Sequence, residues 1–131
     1  MAKQKKHEVR LTGPSQRDLS DVMEWTVKEF GGRAAIRYDA LIKQALKDIG
    51  AHPERPGSKE RPEIMIKGAR TYHLESSRSR VSGPGVKAPR HFLLYRRRTD
   101  GVIEVARILH DGRDLARHLP ENYRPADPAV D

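Results

Sequence analysis

Apolar residues recur along this chain in two rhythms, and the change of rhythm marks its parts. Val9 and Leu11 alternate with polar neighbours between Glu8 and Leu11, which predicts a short strand. From Ser15 to Phe30 the apolar residues Leu19, Val22, Met23, Val27 and Phe30 are spaced by three and four, one face of a helix, with Trp25 at its edge. Thr12-Gly13-Pro14 suits its start, because proline is tolerated in a first turn. Gly31-Gly32 breaks the pattern, and a second helical face follows at Tyr38, Leu41, Ile42, Ala45 and Ile49, closed by Gly50 and Pro53. Two amphipathic helices joined by a glycine pair make an antiparallel helical hairpin.

The rhythm then shortens. Residues 51–69, punctuated by Pro53, Pro56, Gly57, Pro62 and Gly68, read as a loop with a short extended piece at Ile64-Met65-Ile66. Thr71 to Glu75 reads as a strand, and Ser76 to Pro89, rich in Ser, Gly, Pro and Arg, as a flexible excursion. His91 to Arg98 and Val102 to Leu109 flank Asp100-Gly101, which predicts a hairpin with a type I′ turn. That turn sets Arg97 opposite Glu104, Tyr95 opposite Ala106 and Leu93 opposite Ile108. One face would carry Leu93, Tyr95, Ala106 and Ile108, and the other Phe92, Leu94, Arg96, Val105, Arg107 and Leu109. With two helices to cover the first face, the second is expected to expose apolar groups framed by Arg96, Arg98 and Arg107, as a partner surface does. The alternatives are that the basic tails fold over it or that the chain dimerises. Asp111 to Leu119 predicts a short helix stopped by Pro120.

Strands and helices are segregated, so the expected fold is α+β: an N-terminal strand, then a helical hairpin packed on a small, mainly antiparallel sheet, then a short C-terminal helix. The expected organisation is a basic flexible arm at 1–7, one domain at 8–119 with a flexible insertion at 77–89, and a disordered tail at 120–131.

Composition narrows the partners more than the chemistry. Lys and Arg number 26 against 18 Asp and Glu, a formal charge of +8, which favours nucleic acid, an acidic protein or an anionic surface. The absence of cysteine removes disulfides, thiolate metal sites and cysteine nucleophiles. The basic N-terminus lacks the apolar run of a signal peptide, and no stretch approaches the roughly 20 apolar residues of a membrane span, so a soluble cytoplasmic protein with no membrane partner is expected. The six histidines show no paired ligand spacing, and Gly83-Pro84-Gly85 lacks the Lys-Ser/Thr ending of a phosphate loop, so no metal or cofactor is expected.

Several segments together resemble a known family. Asp18-Leu19-Ser20-Asp21-Val22 resembles its acidic first-helix opening. Phe30-Gly31 with Ala34-Ala35 and Tyr38 resembles its inter-helix turn and second helix, and His52-Pro53-Glu54-Arg55 its proline-rich stop. Arg70-Thr71-Tyr72, Phe92-Leu93-Leu94-Tyr95 and Ile108-Leu109-His110-Asp111-Gly112-Arg113-Asp114-Leu115 resemble its last three strands. In consistent order over roughly residues 8–119, these resemble a ParE-like toxin of the ParE/RelE superfamily of type II toxin–antitoxin modules. The stretch Ser77 to Pro89 is longer than the family's usual connection, and the two termini are additions.

The resemblance implies one of two activities. RelE-like members are ribosome-dependent mRNA endoribonucleases that place Lys and Arg on the sheet to stabilise transition-state charge. ParE-like members inhibit DNA gyrase. The strand that carries lysines in the ribonuclease branch has Thr71 and His73 here, and one of that branch's arginines falls near the apolar Phe92, which favours gyrase inhibition. If the chain is a ribonuclease, His110 and Arg113 are the candidate catalytic groups, with His73 and His91 as further acid–base groups. For His110 a role in satisfying the backbone at the strand end is favoured over catalysis, Arg107 could pair with an acidic residue such as Asp114, and the Arg96-Arg97-Arg98 run could be a solvated tip.

The resemblance further implies a ParD-like antitoxin with an acidic, amphipathic segment that folds on binding to give a hetero-oligomer. Trp25, Tyr38, Phe92 and Leu94 are the expected antitoxin contacts, and Arg96, Arg107, His110 and Arg113 the expected contacts to gyrase, or to the ribosome and mRNA in the alternative. A third reading is a non-toxic remnant that binds only an antitoxin or nucleic acid.

Overall fold

The computed structural model describes residues 6–64 and 67–112. Strand β1 (Val9–Leu11) leads into helices α1 (Gly13–Phe30) and α2 (Gly32–Ala51), followed by β2 (Ser58–Glu60), β3 (Arg70–His73), a 3-10 helix (Leu74–Arg80), β4 (His91–Arg97) and β5 (Ile103–His110). The sheet runs β1-β5-β4-β3-β2, antiparallel except where β1 lies parallel to β5. The architecture is the expected α+β one. Arg113 and the helix expected over 111–119 lie outside the described residues from position 113 onward, as does the expected C-terminal tail.

Local chemistry accounts for both helix starts. Thr12 caps α1, its Oγ1 accepting the Ser15 N–H, and Pro14 sits in the first turn. Gly31, at φ 90°, ends α1 and opens α2, a backbone conformation that side chains disfavour. The α2 face is the expected one, with Tyr38, Leu41, Ile42, Ala45 and Ile49 all buried against Tyr72, Leu93, Tyr95, Ile103, Val105 and Ile108. Gly50 is buried within the last turn, where a Cβ would lie 2.8 Å from Val9 Cγ2; its carbonyl accepts the His7 N–H.

The α1 face differs from expectation. Val27 and Phe30 are exposed, and the buried stripe is Ser15, Val22 and Thr26, with Leu19 and Met23 partly buried beside it. Ser15 and Thr26 return their hydroxyls to helix carbonyls, Thr12 O and Val22 O, so two polar residues enter the core with their hydrogen bonds made.

The β4–β5 register also differs. Gly101 N–H bonds Arg98 O, Arg98 N–H bonds Val102 O, and Gly101 has φ 88°, so the turn is a three-residue loop with a glycine bulge rather than a two-residue type I′ turn. Arg96, not Arg97, therefore faces Glu104, and Tyr95 faces Val105 instead of Ala106. A second bulge between Leu94 and Tyr95 leaves Ala106 unpaired and restores the expected Leu93–Ile108 pair. Val105 thus joins the helix-side core, and Ala106 moves to the other face.

That other face is not an open apolar surface around Leu94. Leu94 and Ala106 are wholly buried in a second cluster with Ile64 and Ala69, from the segment between β2 and β3. Strand β2 was unexpected because Ser58-Lys59-Glu60 has no apolar pattern; it exists through pairing with β3, aided by Arg70, which bonds Ser58 Oγ and Glu60. Ile64 is the only described residue of the extended piece expected at 64–66, and it lies in no strand. Strand β3 stops at His73, and the 3-10 helix takes the place of its expected end and of the first part of the expected excursion. Ser77 pins that helix by donating to the buried carboxylate of Asp48 at 2.6 Å.

Candidate functional site

The β4–β5 pairing ends with His91 opposite His110, and this brings the candidate chemistry together. Their rings meet edge to face with centroids 5.4 Å apart. Tyr38 lies on the far side of His91: its hydroxyl accepts the Arg90 backbone N–H at 3.0 Å and shares a hydrogen bond with His91 Nδ1 at 2.6 Å. Burial pushes the Tyr38 hydroxyl up to about 12, partly opposed by the Arg90 backbone hydrogen bond.

Asp111 organises the outer layer. It accepts from His73 Nε2 at 3.0 Å and from Arg90 at 2.9 and 2.8 Å, while His73 Nδ1 accepts the Glu75 N–H. Desolvation pushes the Asp111 carboxyl up, but the hydrogen bonds from His73 and Arg90 and their charges outweigh it and hold it below its usual value. His110 Nδ1 accepts the Gly112 N–H at 3.0 Å, so its Nε2 carries the proton in the neutral ring. The strand-end role considered for His110 is thus present, and it fixes the tautomer.

A groove runs past this cluster along α1. One part, of about 460 Å³, lies between Asp21, Val22, Trp25, His91 and His110. A second, also about 460 Å³, shares Trp25 and His91 and continues between Phe30, Ala34 and Val86, with Arg37, Lys87 and Arg90 on its rim. Trp25 and Phe30 meet edge to face at 5.4 Å while 47% and 66% exposed. This is an apolar floor with a cationic rim.

The expected antitoxin contacts divide accordingly. Trp25 is at the groove surface, Tyr38 is buried in its wall, Phe92 is half-buried, and Leu94 is sealed in the second cluster. Among the expected target contacts, Arg107 and His110 share a small cleft with Asp18 and Asp21, and Arg107 is held by Asp18 at 2.6 Å. Arg96 pairs with Glu104 at 2.9 Å, six residues along β5 from His110, or about 20 Å away. The structure therefore does not gather these four positions into one patch, and Arg113 lies outside the described residues. Arg90, Asp111 and Asp21 join the site although none is a candidate site residue by sequence: Asp21 and Asp111 stand only within the family-like motifs, and Arg90 precedes β4 with no signal of its own.

Among the described residues, no group of three or more His, Cys, Asp or Glu side chains could hold a metal, and no helix is long and apolar enough to cross a membrane.

Comparison with known proteins gives the site its context. No curated protein matches the chain. Among solved structures, the chromosomal ParDE toxin–antitoxin system from P. aeruginosa superposes with a TM-score of 0.57 at 14% identity, covering 80% of this chain and 96% of that one. The toxin–antitoxin complex RelBE2 from Mycobacterium tuberculosis gives 0.50 at 19% identity, covering 81% and 99%. These likenesses are of fold. The family described as ParE toxin of type II toxin-antitoxin system, parDE, matches residues 9–115, nearly the whole of the described fold, and the chain belongs to that toxin family.

Proposed function

We propose that this toxin acts in the cytoplasm by inhibiting DNA gyrase and is held inactive by a cognate ParD-like antitoxin in a hetero-oligomer. The observation that carries the reading is the state of the sheet where ribonucleases of the superfamily are expected to place cations. Thr71 is buried and accepts from Arg61 Nε at 2.8 Å, His73 is engaged by Asp111, Leu74 is in the core, and position 92 is a phenylalanine. Phosphodiester cleavage calls for cations aimed at the reacting phosphate; Thr71, Leu74 and Phe92 carry no charge, and the His73 ring is turned to Asp111. The end of β5, with His110 and Arg107, is the proposed gyrase contact, with Arg113 following it in the chain; Arg96, near the hairpin turn, is a separate proposed contact.

The groove beside Trp25 fits the antitoxin. Its apolar floor and its Arg37, Lys87 and Arg90 rim suit an acidic amphipathic segment, with Trp25 and Phe30 as anchors. The ribonuclease reading has one observation in its favour, the convergence of His91, His110, Tyr38 and Asp111 at one strand end. Induction in growing cells separates the two. Gyrase inhibition relaxes plasmid DNA while mRNA 5′ ends stay unchanged; the ribonuclease produces new 5′ ends within codons and leaves plasmid topology unaltered.

A further inference from the structure

At the opposite end of β4 from the histidines lies a cleft that shares no lining residue with the groove beside Trp25. It has a volume of about 800 Å³ and is walled by Arg55, Arg80 and Arg97 with His7, His52 and Glu54. We propose that it binds the phosphodiester backbone of a nucleic acid. This goes beyond the gyrase reading and does not depend on it.

The charge balance is the first argument. Asp48, 2% exposed, lies beneath the cleft and takes Arg80 Nε at 2.9 Å and Arg55 at 3.7 Å, besides Ser77 and Gln44. One carboxylate facing two guanidinium groups leaves a positive charge uncompensated at the wall. Arg55 is fixed, with its guanidinium 5.8 Å above the Tyr72 ring, and its Nε is buried without a hydrogen-bond partner among the described residues.

Arg97 supplies the second argument. It is the middle of three consecutive arginines at the hairpin tip. Arg96 pairs with Glu104 and Arg98 with Asp100, each at 2.8–2.9 Å, whereas Arg97 is exposed and forms no ion pair among the described residues. The three-residue turn produces this difference, because the register it sets gives Glu104 to Arg96.

Shape is the third. Arg97 also lines a second cleft of about 530 Å³, which continues past Glu54 and Glu60 to Arg61, Lys67 and Arg70. A single small anion needs one cradle; two clefts joined at an arginine suit a chain of phosphates. Guanidinium forks match phosphate oxygens, and counterion release supplies sequence-independent affinity; Arg55, Arg80, Arg97, Arg61, Lys67 and Arg70 outnumber the exposed carboxylates Glu54 and Glu60 along the two clefts.

The test is fluorescence anisotropy with the purified full chain and three labelled probes of one sequence: single-stranded DNA, its duplex and the corresponding RNA. Arg97→Glu is compared with Arg98→Glu, which changes net charge equally but lies outside both clefts. At about 50 mM salt, Arg97→Glu should weaken binding at least about tenfold and lower the slope of log K against log salt by about one, and Arg98→Glu should change affinity less than about threefold. The probe with the highest affinity identifies the nucleic acid. Equal losses for the two variants, or no binding of the unaltered chain to any probe, would overturn the proposal; an unchanged thermal midpoint for Arg97→Glu excludes misfolding as the cause.

Discussion

Asp18 and Arg107 meet in a two-point ion pair, Nε to Oδ2 at 2.6 Å and Nη2 to Oδ1 at 2.9 Å, and the same carboxylate accepts the Ile108 N–H at 2.9 Å. The contact ties α1 to the part of β5 that extends beyond β1 and supplies a partner to an edge amide. Both side chains are mostly buried, so Arg107→Ala should cost about 2–3 kcal/mol of stability, measured by denaturant unfolding, and Asp18→Asn a comparable amount. A double-mutant cycle should return a coupling above about 1 kcal/mol. Loss of toxicity in Arg107→Ala therefore reports on gyrase contact only when folding is checked beside it.

Much of this architecture is legible in the sequence, and the exceptions share physical causes. The α2 face could be read because Tyr38, Leu41, Ile42, Ala45 and Ile49 are all apolar and all buried. The α1 face could not, because Ser15 and Thr26 hide in the core by bonding their own helix, while Trp25, Val27 and Phe30 stand exposed. Strand β2 left no trace because backbone pairing and Arg70, not side-chain alternation, make it a strand. Asp100-Gly101 marks the hairpin but not its loop length, and one residue of difference moved Glu104 from Arg97 to Arg96. His91 and His110 could be named from sequence; that Tyr38 and Asp111 orient their surroundings depends on contacts between distant segments.

The groove beside α1 should be functional rather than structural. Trp25→Ala is expected to leave unfolding free energy within about 1 kcal/mol of the parent, because the ring is 47% exposed. The same change should weaken antitoxin binding by about 2 kcal/mol or more, roughly thirtyfold, as calorimetry would show.

Gly50 holds β1 against α2. Gly50→Ala places a Cβ 2.8 Å from Val9 Cγ2 and 3.3 Å from the His7 carbonyl, so β1 has to shift. The expected loss is about 1–3 kcal/mol despite alanine's better helix propensity, measured by chemical denaturation.

Tyr38 sets an alkaline limit. Its folded value, raised from 10.0 to about 12, means that its contribution is fully present below 10 and is lost as pH rises toward 12. Stability measured across that window should fall, and Tyr38→Phe should remove this component while losing the hydrogen bond to His91.

Asp111 works in the opposite direction. Its lowered value, against an ordinary 3.8, gives a contribution present above that pH and lost as pH falls through the folded value. Asp111→Asn should flatten the acid limb of the stability profile and leave the neutral region less affected.

The most direct test of the central claim is a supercoiling assay with purified gyrase, the purified toxin and its antitoxin. Inhibition by the toxin, relieved by stoichiometric antitoxin and weakened by a folded His110→Ala variant, is the predicted result. Full supercoiling activity with toxin well in excess of gyrase would contradict it.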